Sequence, residues 1–511
     1  MHLHYSLWQH LPFVSILLPL ASAAFTSVMK PRLARRWTLL VVLIVTVCSA
    51  LLCAQFFGGA ESYVFPMGHD YEVTNEAAKG AIVNEIRTGS LEALTALFFS
   101  GIMLLSLMGG MKKLDEHLDP NKQSLYYVLL LLMTAALMAQ VYTNDLFTSY
   151  VFLEIMTLAA CALIAIRKRG RTLVAATRYM IMNLIGSGLF LLGIVILYDL
   201  TGHLLMEPIR EQVAAIAATG EYAQPLTVVI ALFAIGLAIK SALFPFHTWV
   251  PDAYGFSTPT SQAVLSSLVS KGYIFLLIKI MYRVIGLDVI AMTGIDDVLF
   301  VFALAGMIFG SISALRQNDV RRMIAFSSVA QIGYVFTALG LRSEVGIICA
   351  LWHMAAHAAT KAMLFVSCAE MDDACGGTHM RKDLRGAFYH SPLLAASFAL
   401  GAVNLVGLPF MSVFMTKITL VQAAIDVGGR HMAIVLAAVA ISTTLNAKYF
   451  LGTAMELFTP KKPGDRVLPP TVRKNGFTAI ALIGLIVLNL FMGLASQPVL
   501  SALTQGLMKF A

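Results

Sequence analysis

Charged side chains are scarce in this sequence, and their scarcity excludes most soluble architectures. Only 13% of the 511 residues are charged and 58% are hydrophobic, whereas soluble domains are about 25% charged and about 45–50% apolar. No stretch is polar enough to supply the surface of a separate soluble domain. The composition therefore predicts an all-α, polytopic membrane protein and excludes a soluble multidomain enzyme.

Cysteines are also few, and none stands in a pattern that binds a metal or a redox centre. The six cysteines are scattered through apolar runs, without a C-x-x-C pair or an iron–sulfur spacing. We interpret them as small buried hydrophobic residues. The sequence accordingly predicts no cofactor, no metal and no redox centre of its own.

Basic residues give the chain a net charge of +8, but their positions indicate membrane topology. They cluster at the ends of apolar runs and mainly on alternate loops, and the other loops hold few, among them Arg283. The positive-inside rule makes the basic loops cytoplasmic, so we expect no nucleic-acid partner. No Lys or Arg precedes the first apolar run, which excludes a cleaved signal peptide. We therefore expect a retained first span with the N-terminus outside.

Apolar runs of about 20 residues, long enough to cross a bilayer, indicate about fourteen spans. Proline interrupts the seventh span at Pro245, with Pro251 following, and the twelfth at Pro409. The predicted spans lie at about 11–29, 37–57, 91–111, 125–143, 146–166, 173–200, 226–246, 259–284, 296–315, 320–341, 345–369, 391–426, 431–457 and 475–503.

A small set of ionisable residues lies within these spans and not in the loops. A charge at the bilayer centre costs about 2.5–3.5 kcal/mol, so each of them needs a partner or a function. A lysine near a span end can reach the interface with its ammonium, an alternative that applies to Lys448. The set comprises Glu154, Lys240, Lys271, His353, His357, Lys361, Lys417 and Lys448.

Two lysines stand beside the proline breaks. Lys240 precedes Pro245, and Lys417 follows Pro409. Unwound backbone inside a membrane is tolerated only within protein or against a water-filled cavity. Glu154 needs a cationic neighbour, for which Lys240 is the candidate. Because burial lowers the pKa of a lysine and a nearby carboxylate raises it, such a pair can take up and release a proton.

Two histidines and a lysine recur every four residues in "HMAAHAATK". His353, His357 and Lys361 therefore share one gradually rotating helix face. An H-x-x-x-H pair can bind a metal, but a lysine one turn further would repel the cation, so we expect none. Histidine can relay protons near neutral pH. Packed, hydrogen-bonded histidines without a transport role remain the alternative.

Several stretches, in order, carry a resemblance to a known family. They are "FLEIMTL", "IKSALFPFHTWVPDAYGFSTPTSQAVLSSLVSKGYIFLLIK", "LRQNDVRRMIAFSSVAQIGYVFTALGL", "HMAAHAATKAMLF", "KDLRGAFYHSPLLAASFALGAVNLVGLPFMSVFMTK" and "LNAKYFLG". Through about residues 125–455 the chain resembles the antiporter-like membrane subunits shared by respiratory complex I, Mrp-type sodium/proton antiporters and membrane-bound hydrogenase complexes. It is most similar to the Mrp D-subunit or hydrogenase type.

The resemblance implies fourteen helices with two inverted five-helix repeats and broken seventh and twelfth helices. The implied divisions are 1–124 (spans 1–3), 125–285 (first repeat, spans 4–8), 286–457 (second repeat, spans 9–13) and 458–511 (span 14). The resemblance also implies a proton-transfer axis of Glu154, Lys240, Lys271, His353, His357, Lys361 and Lys417. Secondary candidates are His247, Asp252, Lys448 and Tyr254, which stands at the cytoplasmic mouth where the family has a histidine.

These features predict a proton-translocating subunit in a prokaryotic cytoplasmic (inner) membrane. Its expected partners are the lipid bilayer and the other membrane subunits of a multisubunit antiporter, or of a respiratory or hydrogenase complex that acts as a translocase. Sodium prefers oxygen ligands, so any sodium flux would pass through a neighbouring subunit. The alternatives are a non-conducting scaffold subunit and an independent cation/proton secondary transporter.

Overall fold

A computed structural model describes residues 6–67, 84–374, 379–460 and 476–510. Thirteen helical segments in this part of the chain are long and apolar enough to cross a membrane. Together with one span made of two shorter helices, described below, they account for the predicted fourteen. The first six spans and the helix after them are α1 (Leu11–Thr26, after a 3-10 turn at Leu7–His10), α2 (Pro31–Phe57), α3 (Ser90–His117), α4 (Pro120–Tyr142), α5 (Leu146–Ala165), α6 (Gly170–Thr201) and α7 (Met206–Thr219).

The remaining elements follow in chain order. They are α8 (Ala223–Ser241), a 3-10 turn (Phe246–Trp249), α9 (Val250–Phe256), α10 (Pro259–Val264), a π-helical turn (Leu265–Val269), α11 (Ser270–Lys279), a second π-helical turn (Ile280–Ile285), α12 (Leu287–Thr293), α13 (Ile295–Leu315), α14 (Val320–Leu339), α15 (Glu344–Ala374), a 3-10 turn (Arg381–Leu384), α16 (Ala387–His390), α17 (Pro392–Val406), α18 (Ser412–Val427), α19 (Gly429–Phe458), α20 (Gly476–Leu494) and α21 (Ser496–Met508).

A short hairpin is the one departure from helix among the described residues. Strand β1 (Tyr63–Met67) pairs antiparallel with β2 (Asn84–Thr88), with Phe65 opposite Ile86. The hairpin joins the second and third spans, and Ile86 also bridges to Thr143 at the end of α4.

The seventh span is broken at the predicted place. Helix α8 ends at Ser241, and the next residue, Ala242, has a left-handed backbone with φ of 65°. The chain then continues through Pro245 into the 3-10 turn and α9. The prediction that Pro251 also breaks the helix was wrong. Pro251 lies in the first turn of α9, where proline is tolerated because the backbone N–H has no partner within the helix.

The twelfth span is broken as well, between α17 and α18. Gly407 (φ 76°) and Phe410 (φ 68°) both adopt left-handed backbone conformations on either side of Pro409. Asn404 stabilises this break from the last turn of α17, because its side-chain oxygen accepts a hydrogen bond from the Val413 N–H at 3.1 Å.

The eighth and eleventh spans form the centre of the molecule. Nearly all side chains of Pro259–Ile285 and Glu344–Met371 are buried, whereas the sixth span leaves about half of its surface exposed. The eighth span is also irregular, since its α-helix widens into a π-helical turn before and after α11. Such π segments are frequent at functional sites. The ionisable side chains described next project from or towards these two central spans.

Candidate functional site

The predicted ion pair between α5 and α8 is present. The Lys240 ammonium lies 3.6 Å from a Glu154 carboxylate oxygen and donates a 2.8 Å hydrogen bond to the Thr157 hydroxyl. The ammonium also lies 5.2 Å from the centre of the Tyr273 ring. Lys240 is fully buried, whereas 22% of the Glu154 side chain is exposed. The Glu154 carboxylate also accepts a hydrogen bond from the Ser187 hydroxyl. The two members of the pair therefore differ in exposure: the lysine is enclosed by the protein, and the carboxylate side chain reaches its surface.

The break in the seventh span explains why a lysine can lie there. Lys240 occupies the last turn of α8, where carbonyl groups lack helical partners and carry the negative end of the helix dipole. A cation is favoured at this end of a helix. The break thus provides a polar position for Lys240 in the interior of the membrane-spanning bundle.

Lys271 lies in the eighth span, directly after the first π-helical turn. Its ammonium donates to the Ser266 carbonyl at 2.5 Å and the Ser270 hydroxyl at 3.2 Å, and its side chain is fully buried. No carboxylate contacts it among the described residues.

The two histidines of α15 stack on each other. Their ring centres are 5.7 Å apart with an interplanar angle of 9°. His353 Nδ1 lies 3.0 Å from the Thr416 hydroxyl, beside Lys417 in the sequence, while both ring nitrogens of His357 lack a hydrogen-bond partner in the described part of the chain. A buried imidazole without partners is costly unless water or a changing neighbour satisfies it. His357 is therefore the least satisfied of the buried candidate side chains.

Lys361 continues the same helix face. Its ammonium donates to the Ile324 carbonyl at 2.6 Å and to the Ser327 hydroxyl at 2.5 Å on α14. In the described ranges, no three His, Cys, Asp or Glu side chains come together in a way that could hold a metal ion. The face formed by His353, His357 and Lys361 is therefore a row of nitrogen bases, of which His353 and Lys361 have hydroxyl or carbonyl partners.

Lys417 lies at the second break. Its ammonium donates to the Val406 carbonyl, which ends α17, and to the Thr443 hydroxyl of α19 at 2.7 Å. Only 9% of Lys417 is exposed. A Cβ atom at Gly407 would lie 2.9 Å from the lysine side chain, so only glycine leaves room for this approach. Lys417 thus contacts the C-terminal end of the half-helix α17.

The secondary candidates do not lie in this row. His247 stacks on Phe244 with ring centres 5.3 Å apart, and Asp252 pairs with Arg178 at 2.5 Å. Lys448 lies on the outer surface of α19. The structure shows direct contacts between Glu154 and Lys240 and between His353 and His357, and these three secondary candidates take no part in them.

Tyr254, which the resemblance places at the cytoplasmic mouth, is buried in the structure. The tyrosine is only 1% exposed, and its ring packs edge-on against Trp249 at 5.9 Å and Phe365 at 6.3 Å. Burial of a large aromatic ring among others is favourable, which explains why this side chain points into the protein.

Sequence reasoning also missed buried polar groups. Arg283, expected in a loop, is buried near the end of the eighth span and pairs with Glu92 at 2.6 Å. Asn404 donates 2.9 Å and 2.8 Å hydrogen bonds to Thr360 and Asn489. An arginine near a predicted span end is indistinguishable from a loop residue until the neighbouring helix that carries its carboxylate is known.

Comparisons with known proteins agree with this geometry. A family profile described as "NADH:quinone oxidoreductase/Mrp antiporter, TM" matches residues 143–444. The N subunit of the NADH-quinone oxidoreductase of Desulforudis audaxviator is 33% identical over 400 residues, which cover 76% of this chain and 77% of the relative. The D-type subunit of the Na(+)/H(+) antiporter of Alkalihalophilus pseudofirmus is 28% identical over 362 residues, 70% of either chain.

Two solved structures have the same fold over nearly the whole chain. A chain of the membrane-bound sulfane sulfur reductase, an archaeal respiratory membrane complex, superposes with a TM-score of 0.86 at 26% identity and covers 98% of both chains. A chain of the Mrp complex from a Dietzia species gives a TM-score of 0.85 at 24% identity, with 99% of this chain and 98% of the other covered.

Proposed function

The chain belongs to the NADH:quinone oxidoreductase/Mrp antiporter family, and from this premise we propose that it is a proton-translocating subunit of a larger membrane complex. The observation that carries the proposal is the row of buried ionisable side chains from Glu154 to Lys417. Charges inside a membrane protein are costly and mark ion pathways. A row with one carboxylate, several lysines and two histidines suits protons better than metal cations.

The first step of the proposed pathway is proton uptake near the seventh and eighth spans. A proton from the cytoplasmic side loads Lys240 or Lys271. Contact with the Glu154 carboxylate, 3.6 Å away, stabilises the ammonium form of Lys240, and separation of the pair would favour its release. Because Glu154 is partly exposed, a neighbouring subunit that moves this carboxylate would control the step.

The second step is transfer through the centre to Lys417. The stacked rings of His353 and His357 lie between the eighth span and the twelfth, and His353 contacts Thr416 at 3.0 Å. Neutral imidazoles can pass a proton on when water completes the chain. Lys417, at the break of the twelfth span, is the last carrier before release to the outer side.

The setting of the subunit follows from the same proposal. The chain would lie in a prokaryotic inner membrane with its N-terminus outside, since the basic loops are then cytoplasmic. The driving reaction would come from neighbouring subunits, since the sequence predicts no redox centre in this chain, and any sodium would pass through a neighbouring subunit.

Substitution of the two break lysines tests the pathway. In everted membrane vesicles containing the assembled complex, Lys240→Ala and Lys417→Ala should each lower proton transport by about 100-fold, the usual effect of removing a proton-transfer group. Proton movement is measured with a pH-sensitive dye under the reaction or ion gradient that drives the wild-type complex.

Two carboxylate variants supply the matched control. Glu154→Gln keeps the side-chain shape but loses the charge that faces Lys240, so its transport should also fall. Glu211→Gln changes an exposed carboxylate on α7 and should leave transport unchanged. If both lysine variants assemble and transport normally, the pathway is refuted. Normal transport in Glu154→Gln would support the scaffold alternative.

A further inference from the structure

Asn489 is a fully buried asparagine in α20, the fourteenth span. Its side-chain nitrogen donates a 2.7 Å hydrogen bond to the Leu485 carbonyl, one turn earlier in the same helix. This bond fixes the orientation of the amide, so that its oxygen is left to accept from other spans. A buried amide oxygen needs a donor, and for Asn489 the donors come from the eleventh and twelfth spans.

The Asn489 oxygen reaches the break of the twelfth span through Asn404. It accepts a 2.8 Å hydrogen bond from the Asn404 amide and lies 2.7 Å from the Thr360 hydroxyl of α15. The Asn404 oxygen in turn accepts from the Val413 N–H on the far side of the break. All of these side chains are fully buried. Asn489 thus supports the residue that stabilises the break.

A glycine one turn further along α20 brings the same helix against the break itself. A Cβ atom at Gly493 would overlap the Phe410 carbonyl oxygen and lie 3.0 Å from the Met411 Cα atom. Phe410 and Met411 belong to the backbone that connects α17 to α18, and backbone atoms cannot move aside as a flexible side chain can. Helix α20 therefore contacts the region of the break at two consecutive turns, through Asn489 and Gly493.

The end of α17 that Asn489 supports also supplies a partner of Lys417. Asn404 precedes Val406 by two residues, and the Val406 carbonyl accepts a hydrogen bond from the Lys417 ammonium. A displaced last turn of α17 would move this carbonyl away from the ammonium. Because hydrogen bonds to the charged form favour that form, the position of α17 influences how firmly Lys417 holds its proton.

Few other ionisable groups lie on the helices around Lys417. Helices α17 and α20 contain none. On α15, His353 lies 3.0 Å from the hydroxyl of Thr416, the residue before Lys417. On α19, Lys448 follows Thr443 by five residues and lies on the outer surface. The Val406 carbonyl and the Thr443 hydroxyl are therefore the direct partners through which a change in helix position would act.

We propose that Asn489 is a positioning residue for Lys417: through Asn404 it holds the end of α17 where the Val406 carbonyl receives the Lys417 ammonium. This inference rests on the proposed function, in which Lys417 is the last proton carrier. It gives α20, which has no ionisable residue and lies outside both implied repeats, a part in proton transfer.

The pH dependence of transport tests this role in everted vesicles that contain the assembled complex. Asn489→Leu removes the acceptor oxygen and keeps a similar side-chain volume. Loss of a hydrogen bond to an ammonium group disfavours its charged form, so the alkaline limb of the transport profile should move to lower pH by about one unit. Gly493→Ala, which displaces the break at the other contact, should shift the limb in the same direction.

Thr478→Val supplies the matched control on the same helix. The Thr478 hydroxyl is buried and donates to the Gly109 carbonyl of α3 at 3.1 Å, so this variant also loses a buried hydrogen bond between spans. It should lower the melting temperature of the complex and keep the wild-type pH profile. Asn489→Ser withdraws the amide oxygen without adding bulk, and it should shift the profile even if the leucine variant fails to assemble.

The outcomes separate this inference from the function on which it rests. Normal transport in Lys417→Ala would refute the pathway and, with it, the role of Asn489. Loss of transport in Lys417→Ala, together with an unshifted profile in both Asn489 variants, would refute the positioning role alone. An equal shift in Thr478→Val, or failure of both Asn489 variants to assemble, would likewise overturn it, since Asn489 would then serve only the packing of α20.

Discussion

The buried lysines of this chain fall into two kinds according to how their ammonium groups are satisfied. Lys279 donates to the carbonyls of Gln140, Val141 and Thr143 at 3.2, 3.0 and 2.5 Å. These three acceptors use all three of its N–H donors and cap the C-terminal end of α4. Lys240, in contrast, has one hydroxyl and one partly exposed carboxylate as partners. Burial alone therefore does not distinguish the proposed proton carriers from structural lysines.

Asp145 shows how a single buried group can make stability depend on pH. The residue lies between the fourth and fifth spans, is 1% exposed, and caps α5 by accepting a 2.7 Å hydrogen bond from the Thr148 N–H. Burial raises the pKa of its carboxyl group, although the cap hydrogen bonds lower it in part. Its other carboxylate oxygen has no hydrogen-bond partner among the described residues.

The direction of the Asp145 pKa shift predicts different effects of Asp145→Asn and Asp145→Ala on stability. Because the folded-state pKa is raised, ionisation costs stability as pH rises through and above the unfolded value of about 3.9. Asp145→Asn keeps an acceptor for the cap and cannot ionise, so its melting temperature relative to wild type should increase from pH 4 to pH 7. Asp145→Ala should lose about 1 kcal/mol by loss of the cap.

Thermal unfolding of the purified complex in detergent, at a series of pH values, measures this difference. The Asn and Ala variants serve as each other's control, since both remove the charge and only one removes the cap. Equal destabilisation by both at pH 7, with no change in the difference from wild type across the series, would contradict the prediction.

At the scale of the elements, each of the two broken spans brings a lysine to the end of a half-helix, in one case from the same half-helix and in the other from the next one. Lys240 lies in the last turn of α8, and Lys417 donates to the last carbonyl of α17. Each lysine therefore meets the negative end of a half-helix inside the membrane region. Proline and residues with left-handed backbone end the half-helices α8 and α17, and a lysine lies at each of these ends.

The packing of α13 on α14 depends on glycines at the contact. A Cβ atom at Gly333 would lie 2.7 Å from the Ala303 carbonyl oxygen and from the Met307 nitrogen, and one at Gly310 would lie 2.6 Å from the Ala330 nitrogen. Backbone atoms cannot move aside as a flexible side chain can. The two helices therefore approach closely because of small residues, as is common in membrane bundles.

This contact predicts different outcomes for two glycine substitutions. Gly333→Ala should lower the melting temperature of the complex, because the added methyl group separates α13 from α14. Gly188→Ala, in α6, meets no atom within 4 Å and should leave stability unchanged or raise it, since alanine favours helix by about 1 kcal/mol over glycine. The two variants are compared by thermal unfolding in the same detergent. Equal effects of the same sign would show that the contact is not tight.

At the scale of the whole molecule, the candidate side chains lie on and around two buried central spans. Glu154 on α5 is partly exposed, and Lys417 donates a hydrogen bond to Thr443 of α19. The eighth and eleventh spans, which carry the other central candidates, are buried almost completely. Under the proposed function, the proton would pass through these two spans.

The orientation of the chain is tested by labelling single cysteines in intact cells. In a background in which the six native cysteines are replaced, Ser6→Cys and Glu221→Cys should react with a membrane-impermeant maleimide, whereas Lys382→Cys should react only after the cells are opened. All three positions are exposed, so their accessibility depends on the side of the membrane. Labelling of Lys382→Cys alone in intact cells would reverse the proposed orientation.

Much of the site could be predicted from the sequence because membrane burial restricts where charges occur. Glu154, Lys240 and Lys417 stand out in apolar runs, and proline marks both breaks. Arg283 and Asn404 could not be recognised, because their partners come from distant helices and a polar residue near a span end has no distinctive pattern. The burial of Tyr254 could not be predicted, because the direction of a side chain near a break depends on local backbone geometry.

The sequence by itself determined the number of spans, the two breaks and a part of the buried charges, among them Glu154 and Lys240, since hydropathy and proline act locally along the chain. Only the tertiary structure decided which charges meet: that Glu154 reaches Lys240, that His353 and His357 stack beside Thr416, and that Lys448 faces outwards. Contacts between helices depend on rotation and depth within the bundle. These are set by the packing of many side chains together, and no single stretch of sequence contains them.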